Sequence, residues 1–220
     1  MKVAKKYAED WTLYEMPKGL TMSAQAYAGD LNGGSLLLGD SRKVAELLLI
    51  VKSQEQWNLE IANNNILQRN SIHTALRTAK TIRSRLEPLG PQYIDAVVTS
   101  YDRDYIQLLM AALMIHSPIV VDFMRGPMAE TSRVYKNELT RPMWFEFFDE
   151  QVRRYPELTK YSEGTIKKMG KNIFRALADT GYIEAPRKKK LQTVYASDYV
   201  IDILEQIDRK DIAAALNFIL

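Results

Sequence analysis

From residue 41 to 51 the chain reads Ser-Arg-Lys-Val-Ala-Glu-Leu-Leu-Leu-Ile-Val, with Val44, Leu47, Leu48 and Val51 at i, i+3, i+4 and i+7. That spacing places them on one face of a helix. A short second helix is expected over 54–62, ending at the asparagine run 63–65. Residues 71–87 carry a strongly amphipathic pattern. Ile72, Ala75, Leu76, Ala79, Ile82 and Leu86 form its expected buried stripe, and Pro88 and Gly90 stop it. Helical patterns recur over 92–99, 102–115, 118–124 and 140–154. The last has Thr140 as N-cap and Pro142 in the first turn, where the missing N–H costs nothing. No run of strands precedes residue 180.

The C-terminal third differs in kind. Residues 162–180 predict a helix with Ile166, Met169, Ile173 and Leu177 on one face and Gly181 as its stop. Tyr182, Ile183 and Glu184 on one side and residues 191–195 on the other flank a basic tip of Pro186, Arg187, Lys188, Lys189 and Lys190. This predicts a short β-hairpin, with a loop longer than the two-residue optimum. After Ser197, a candidate N-cap, one or two short helices reach Leu220. Helix, glycine, strand, basic tip, strand, helix is the order of a winged helix-turn-helix. The expected fold is mainly α: a helical bundle with a C-terminal winged-helix-like segment containing a short β-hairpin. Residues 1–34, punctuated by Pro17, Gly19, Gly29, Gly33 and Gly34, read as an irregular arm. Residues 35–155 read as a helical domain, and 156–220 as the winged-helix-like segment packed on it.

Composition narrows the class. The 220 residues are 46% hydrophobic and 26% charged, enough to build a core and unlike a disordered chain. There is no cysteine, which removes disulfides, thiol nucleophiles and thiolate metal sites, and fits a reducing cytoplasm. Residues 1–10 are charged and lack the apolar run of a signal peptide. The most apolar stretch, 106–121, is interrupted by Gln107, His116, Ser117 and Pro118. A spanning helix needs about 20 predominantly apolar residues, so this segment reads as a core helix and no membrane contact is expected.

The net charge of +3 is modest, but it is concentrated. Between 162 and 192, the positives Lys167, Lys168, Lys171, Arg175, Arg187, Lys188, Lys189 and Lys190 face only Glu163, Asp179 and Glu184. Lys168, Lys171 and Arg175 fall at i, i+3 and i+7 and share one helical face, largely opposite the apolar one. A helix set against a nucleic-acid groove needs this arrangement, and a basic wing beside it can follow the phosphate backbone. The plain alternative is a solvated helix and a solubilising loop. A second basic face is expected on the 71–87 helix, where His73, Arg77 and Lys80 share one side and Arg69, Arg83 and Arg85 lie near its edges. Its plain alternative is again a solvated outer face. Asn172 has the chemistry to read an adenine edge, but a single asparagine gives no specificity.

Enzymatic readings find no support. His73 and His116 are the only histidines, and no Ser-His-Asp order, HExxH or phosphate loop ending in Gly-Lys-Ser/Thr is present. Gly33, Gly34 and Ser35 read as a turn entering a helix. Glu146, Asp149 and Glu150 read as a solvated acidic face rather than a metal site. No catalytic residue, metal or cofactor is expected.

Three segments carry a resemblance. They are Tyr27-Ala-Gly-Asp-Leu-Asn-Gly-Gly-Ser-Leu-Leu-Leu-Gly-Asp-Ser-Arg-Lys-Val-Ala-Glu-Leu-Leu-Leu, Asn65-Ile-Leu-Gln-Arg-Asn-Ser-Ile-His-Thr-Ala-Leu-Arg-Thr-Ala-Lys-Thr-Ile-Arg-Ser-Arg-Leu, and Ala178-Asp-Thr-Gly-Tyr-Ile-Glu. Over about residues 25–205 the chain resembles the BrxA family of BREX bacteriophage-defence systems. The resemblance implies a helical bacterial cytoplasmic protein similar to the antitermination factor NusB. It also implies binding to double-stranded DNA and action beside other BREX proteins. It transfers no specific contact residues. The residues themselves leave two alternatives open: a scaffold whose basic faces meet an acidic partner, and RNA binding in the style of NusB.

Overall fold

The hydrophobic spacing that predicts helices produces them. The computed structural model describes residues 23–51, 53–134 and 136–220, and twelve α-helices are found among them. They are α1 (Ala24–Ala28), α2 (Leu38–Ile50), α3 (Gln54–Asn58), α4 (Ile72–Leu86), α5 (Pro91–Thr99) and α6 (Asp102–His116). Then follow α7 (Ile119–Phe123), α8 (Ala129–Arg133), α9 (Arg141–Arg154), α10 (Glu163–Asp179), α11 (Asp198–Gln206) and α12 (Lys210–Leu216). The fold is mainly α.

Helix α6 is central. Gln107 to Met114 are all buried on it, so it is covered on every side, by α2, α4, α5, α7, α11 and α12. This is the segment that reads as a core helix. It breaks at Ser117 and Pro118, and the path beyond it, Ile119–Arg133, turns by 105°. Among the described residues no single helix is long and apolar enough to cross a membrane. One cluster of buried side chains runs from Ala24 to Phe218.

Helix α10 is fixed by its ends and by one close approach. The Ser162 hydroxyl accepts the Thr165 N–H at 3.3 Å and caps the N-terminus. At the other end Gly181 has φ +85°, Tyr182 N–H donates to the Leu177 carbonyl at 2.8 Å, and Gly181 N–H donates to Ala178 at 3.1 Å. That paired pattern is a Schellman stop, which favours glycine. Midway, Gly170 lies against the Trp144 ring of α9. Around it Phe123 meets Trp144, Phe147 and Phe174 edge-on, at 5.7, 5.4 and 5.9 Å between ring centres.

Several expectations need correction. The 118–124 helix does not stop. A wide π-type turn, Met124–Met128, carries it past Gly126 and Pro127 into α8, and the Thr131 hydroxyl takes the Pro127 carbonyl at 2.7 Å. Ile72 is exposed rather than buried, because the first turn of α4 overhangs the core. Residues 1–22 of the expected arm lie outside the described residues; within 23–34 the chain forms α1, capped by Ser23, and buries Ala24, Tyr27, Ala28 and Leu31.

The expected β-hairpin is also absent: no strand is found among the described residues, only isolated antiparallel bridges. Ile183 bridges Leu191, Glu138 bridges Lys190, and Val194 bridges Phe218. The reason lies in where the amides go. Glu184 N–H reaches the Lys190 carbonyl and Gln192 N–H reaches Tyr182, both at 2.9 Å, but Leu191 N–H is given to Asn137 at 2.7 Å. Residues 189–191 are thus shared between two partners, and neither pairing extends into a ladder.

Candidate nucleic-acid interface

The outward face of α10 follows from its inward one. Met169, Ile173, Phe174 and Leu177 are buried, so Lys168 and Lys171 are left exposed on the opposite side, and Lys167, seven residues before Phe174, is exposed at the edge of the buried face. Arg175 is exposed too, but its Nε donates to Asp179 Oδ1 at 2.9 Å, as an i,i+4 pair. In the following loop Arg187 and Lys190 are exposed. Lys188 pairs with Glu184 at 3.1 Å. Lys189 departs from the expectation of a fully solvated basic tip: it is only 8% exposed, and its ammonium lies 5.6 Å from the centre of the Phe174 ring. Its stem packs inward while its neighbours face solvent. Asn172 does not face outward either; its Nδ2 donates to the Leu31 carbonyl at 2.7 Å.

On α4, His73, Arg77 and Lys80 are exposed at i, i+4 and i+7. The three edge arginines are occupied. Arg69 pairs with Asp40. Arg83 grips Glu87 through two hydrogen bonds of 2.9 and 2.8 Å and lies over Trp57 at 4.7 Å. Arg85 is buried at 5% exposure and binds Asp30 at 2.9 Å and the carbonyls of Gly34 and Ser35. Burial pulls its pKa below the ordinary arginine value, against the opposing pull of Asp30. A buried guanidinium held by an acid and two carbonyls organises a turn and is too enclosed to meet a surface ligand.

The same turn joins the two basic helices. Ser84 Oγ lies 3.3 Å from Asp30 Oδ2, and Gly33 rests so closely on α4 that a Cβ there would stand 2.6 Å from Thr81 Oγ1. On its other side Asn172 of α10 holds Leu31. Gly29 has φ +56°, and a Cβ on it would meet the His116 carbonyl at 2.4 Å, so glycine is required. Lys168 and Arg175 flank Asn172 on the α10 surface, one turn either side. Arg77 and Lys80 lie one turn before Thr81 and Ser84 on α4. Asp30 and Asp179, the acids along this seam, are both engaged in ion pairs.

A cleft of about 480 Å³ between α3 and α4, lined by Gln54, Trp57, Asn58, Leu76, Lys80 and Arg83 among others, was not foreseeable from the chain. The Arg83–Glu87 pair and the Arg83–Trp57 stack occupy one wall, and Lys80 faces the cleft without an ion pair among the described residues. Glu146, Asp149 and Glu150 are exposed, and among the described residues no three metal-ligating side chains gather.

The chain is similar to known proteins over most of its length. The BrxA family model matches residues 25–208. A protein of Escherichia coli O9:H4 (strain HS) named "BREX protein BrxA" is 38% identical over 206 residues, covering 93% of this chain and 97% of that one. A second "BREX protein BrxA", from Paramagnetospirillum magneticum (strain ATCC 700264 / AMB-1), is 32% identical over 185 residues, covering 84% and 93%. A crystal structure of an uncharacterized protein from Magnetospirillum magneticum superposes with a TM-score of 0.79 at 29% identity, covering 87% of this chain and 98% of that one. The chain belongs to the BrxA family.

Proposed function

We propose that this protein is a non-catalytic, cytoplasmic DNA-binding component of a BREX phage-defence system, acting beside other BREX proteins. The observation that carries the reading is a set of five exposed cations without an acid partner among the described residues, Lys167, Lys168 and Lys171 on α10 and Arg187 and Lys190 in the loop after it. A rigid capped helix with an apolar back and a cationic front presents charge at fixed spacing to a phosphate backbone. In this reading residues 156–220 act as a winged-helix-like module on a NusB-like bundle, with the 185–190 loop in the place of the wing. The contacts are mainly to phosphate in this reading, because Asn172, with the chemistry to read an adenine edge, is spent on Leu31, and Arg187 is the one arginine among the five cations that has the fork geometry to read a guanine. Binding is then weakly sequence-selective. With about five phosphates neutralised, affinity should fall roughly 10²–10³-fold between 50 and 200 mM salt.

The test is direct competition between matched duplex DNA and duplex RNA at one salt concentration, with wild type and the Lys167→Ala/Lys168→Ala/Lys171→Ala variant. Duplex DNA should win, and the variant should lose retardation of DNA at an unchanged thermal midpoint. Preference for RNA, or full DNA retention by the variant, overturns the reading.

A further inference from the structure

Exposed tyrosines gather at the end of the molecule away from the basic helices. Tyr101 is 74% exposed, Tyr195 54% and Tyr199 41%, and none of their hydroxyls is hydrogen-bonded within the described protein. Backbone contacts hold them in one place. Buried Gln107 donates to the Tyr195 carbonyl at 2.8 Å and accepts the Ser197 N–H at 2.9 Å, and Arg103, two residues after Tyr101, also reaches the Tyr195 carbonyl. The clamp fixes the start of α11 against the start of α6. The patch is therefore organised before any partner arrives.

Its charge is the reverse of the basic side. Asp198, Asp202 and Glu205 lie at i, i+4 and i+7 along the outer face of α11, all exposed and none in an ion pair with another described residue, and Asp102 is exposed beside Tyr101. Cations nearby are committed: Arg42 donates to the carbonyls of Val98 and Ser100, and Arg103 to that of Tyr195. Arg42 also shows what the rings accept. Its guanidinium stands 5.2 Å from the Tyr101 ring centre and 4.3 Å from that of Tyr105. Although Lys190 of the basic loop stands only five residues before Tyr195, helix α6 separates this patch from the seam between the basic helices. Its far end, His116, touches Asp30 at 3.5 Å beside the basic seam, and fifteen residues make about 22 Å of helix.

We propose that this end is a docking face for a partner protein, which presents a short arginine-rich segment to Tyr101, Tyr195 and Tyr199 within the acidic rim of Asp102, Asp198, Asp202 and Glu205. Exposed tyrosines offer flat, nearly pre-ordered contact area, and arginine planes stack on them while meeting carboxylates edge-on. A nucleic acid is the wrong occupant, because the unpaired carboxylates repel phosphate. A second copy of this chain fits poorly. Its complementary surface would be the basic side of α10, so the contact would be head-to-tail and unclosed, building filaments. The docking face therefore leaves the basic helices free, and one molecule can hold DNA and a partner together.

The test uses the full chain and a fluorescein-labelled peptide of alternating arginine and glycine, followed by anisotropy, with lysine–glycine and glutamate–glycine peptides as comparisons. The arginine peptide should bind tightest and the glutamate peptide not at all. Asp202→Lys/Glu205→Lys should abolish binding. Tyr101→Ala/Tyr199→Ala should weaken it on the order of tenfold, and Tyr101→Phe/Tyr199→Phe should restore most of it. Duplex DNA affinity should not fall in any of these variants. Peptide binding that ignores both the acidic and the aromatic substitutions overturns the proposal. So does sedimentation showing that wild type self-associates and that Asp202→Lys/Glu205→Lys makes it monomeric. Loss of DNA binding by wild type itself would sink the DNA reading and leave this one standing.

Discussion

At Gly170 one hydrogen atom sets how closely α10 approaches α9. A Cβ there would stand 2.4 Å from Trp144 Cδ1. The indole has nowhere to go: its Nε1 donates to the Ile166 carbonyl at 2.7 Å, and Phe123, Phe147 and Phe148 surround it. Gly170→Ala should therefore destabilise the protein by about 1–3 kcal/mol through overpacking, read as a lower midpoint in urea. A midpoint equal to wild type would mean that the crossing yields. His116 makes a different prediction. It faces Asp30 and Arg85; burial lowers its pKa, Asp30 opposes that, and Arg85 adds to it. The fold thus prefers the neutral ring. The unfolded chain takes up its proton near pH 6.5, so this contribution is complete above that pH. It is lost as pH falls through about 6.5 toward the lower folded value, the range in which the unfolded state binds more protons. The thermal midpoint should drop on acidification across that window, and His116→Asn should flatten the dependence. An unchanged slope would assign the loss to another group.

The loop after α10 turns one lysine inward and leaves the next exposed, so on the proposed function single substitutions separate a packing role from a DNA-contact role. Lys189 lies over Phe174, so Lys189→Ala should lower the thermal midpoint and cost about 0.5–2 kcal/mol with little effect on DNA. Exposed Lys190 should behave oppositely, weakening DNA binding at constant stability. Exchange of those outcomes would reverse the two roles. The division was hidden in the chain, because Pro186 to Lys190 reads as a uniform basic tip and only residues 137–139, far away in sequence, decide which lysine turns inward. Arg85 is the same case: its partner Asp30 is 55 residues distant. What could be read was local. Helix α10 declares itself through Ser162, an apolar face of 3.6-residue period and Gly181, all of which act within a turn or two. Helix α8 did not, because Gly126 and Pro127 normally end a helix and a wide turn here accommodates them. The hairpin fails for the opposite reason, since its residues suit strands while the Leu191 amide is claimed by Asn137 of a third segment.

At the scale of the whole molecule, the proposed DNA binding raises the question whether the duplex meets one basic helix or two. The turn at 29–35 touches α4 through Thr81, Ser84 and Arg85 and α10 through Asn172, so Arg77 and Lys80 border the same seam as Lys168 and Lys171. Each phosphate contact removed should lower the slope of log affinity against log salt by about 1. If DNA lies across the seam, Arg77→Ala/Lys80→Ala should remove about two units of slope, Lys168→Ala/Lys171→Ala about two more, and the four together the sum, since each cation neutralises its own phosphate. Arg83→Ala is the internal control. Its guanidinium already belongs to Glu87 and Trp57, so it should leave the slope unchanged although it deletes a charge from the same helix. If instead DNA touches α10 alone, the α4 pair should act no differently from Arg83. A charge count cannot distinguish these cases, since Arg77, Lys80 and Arg83 contribute equally to it. The salt slopes can, because they count only those cations that release counterions from the DNA.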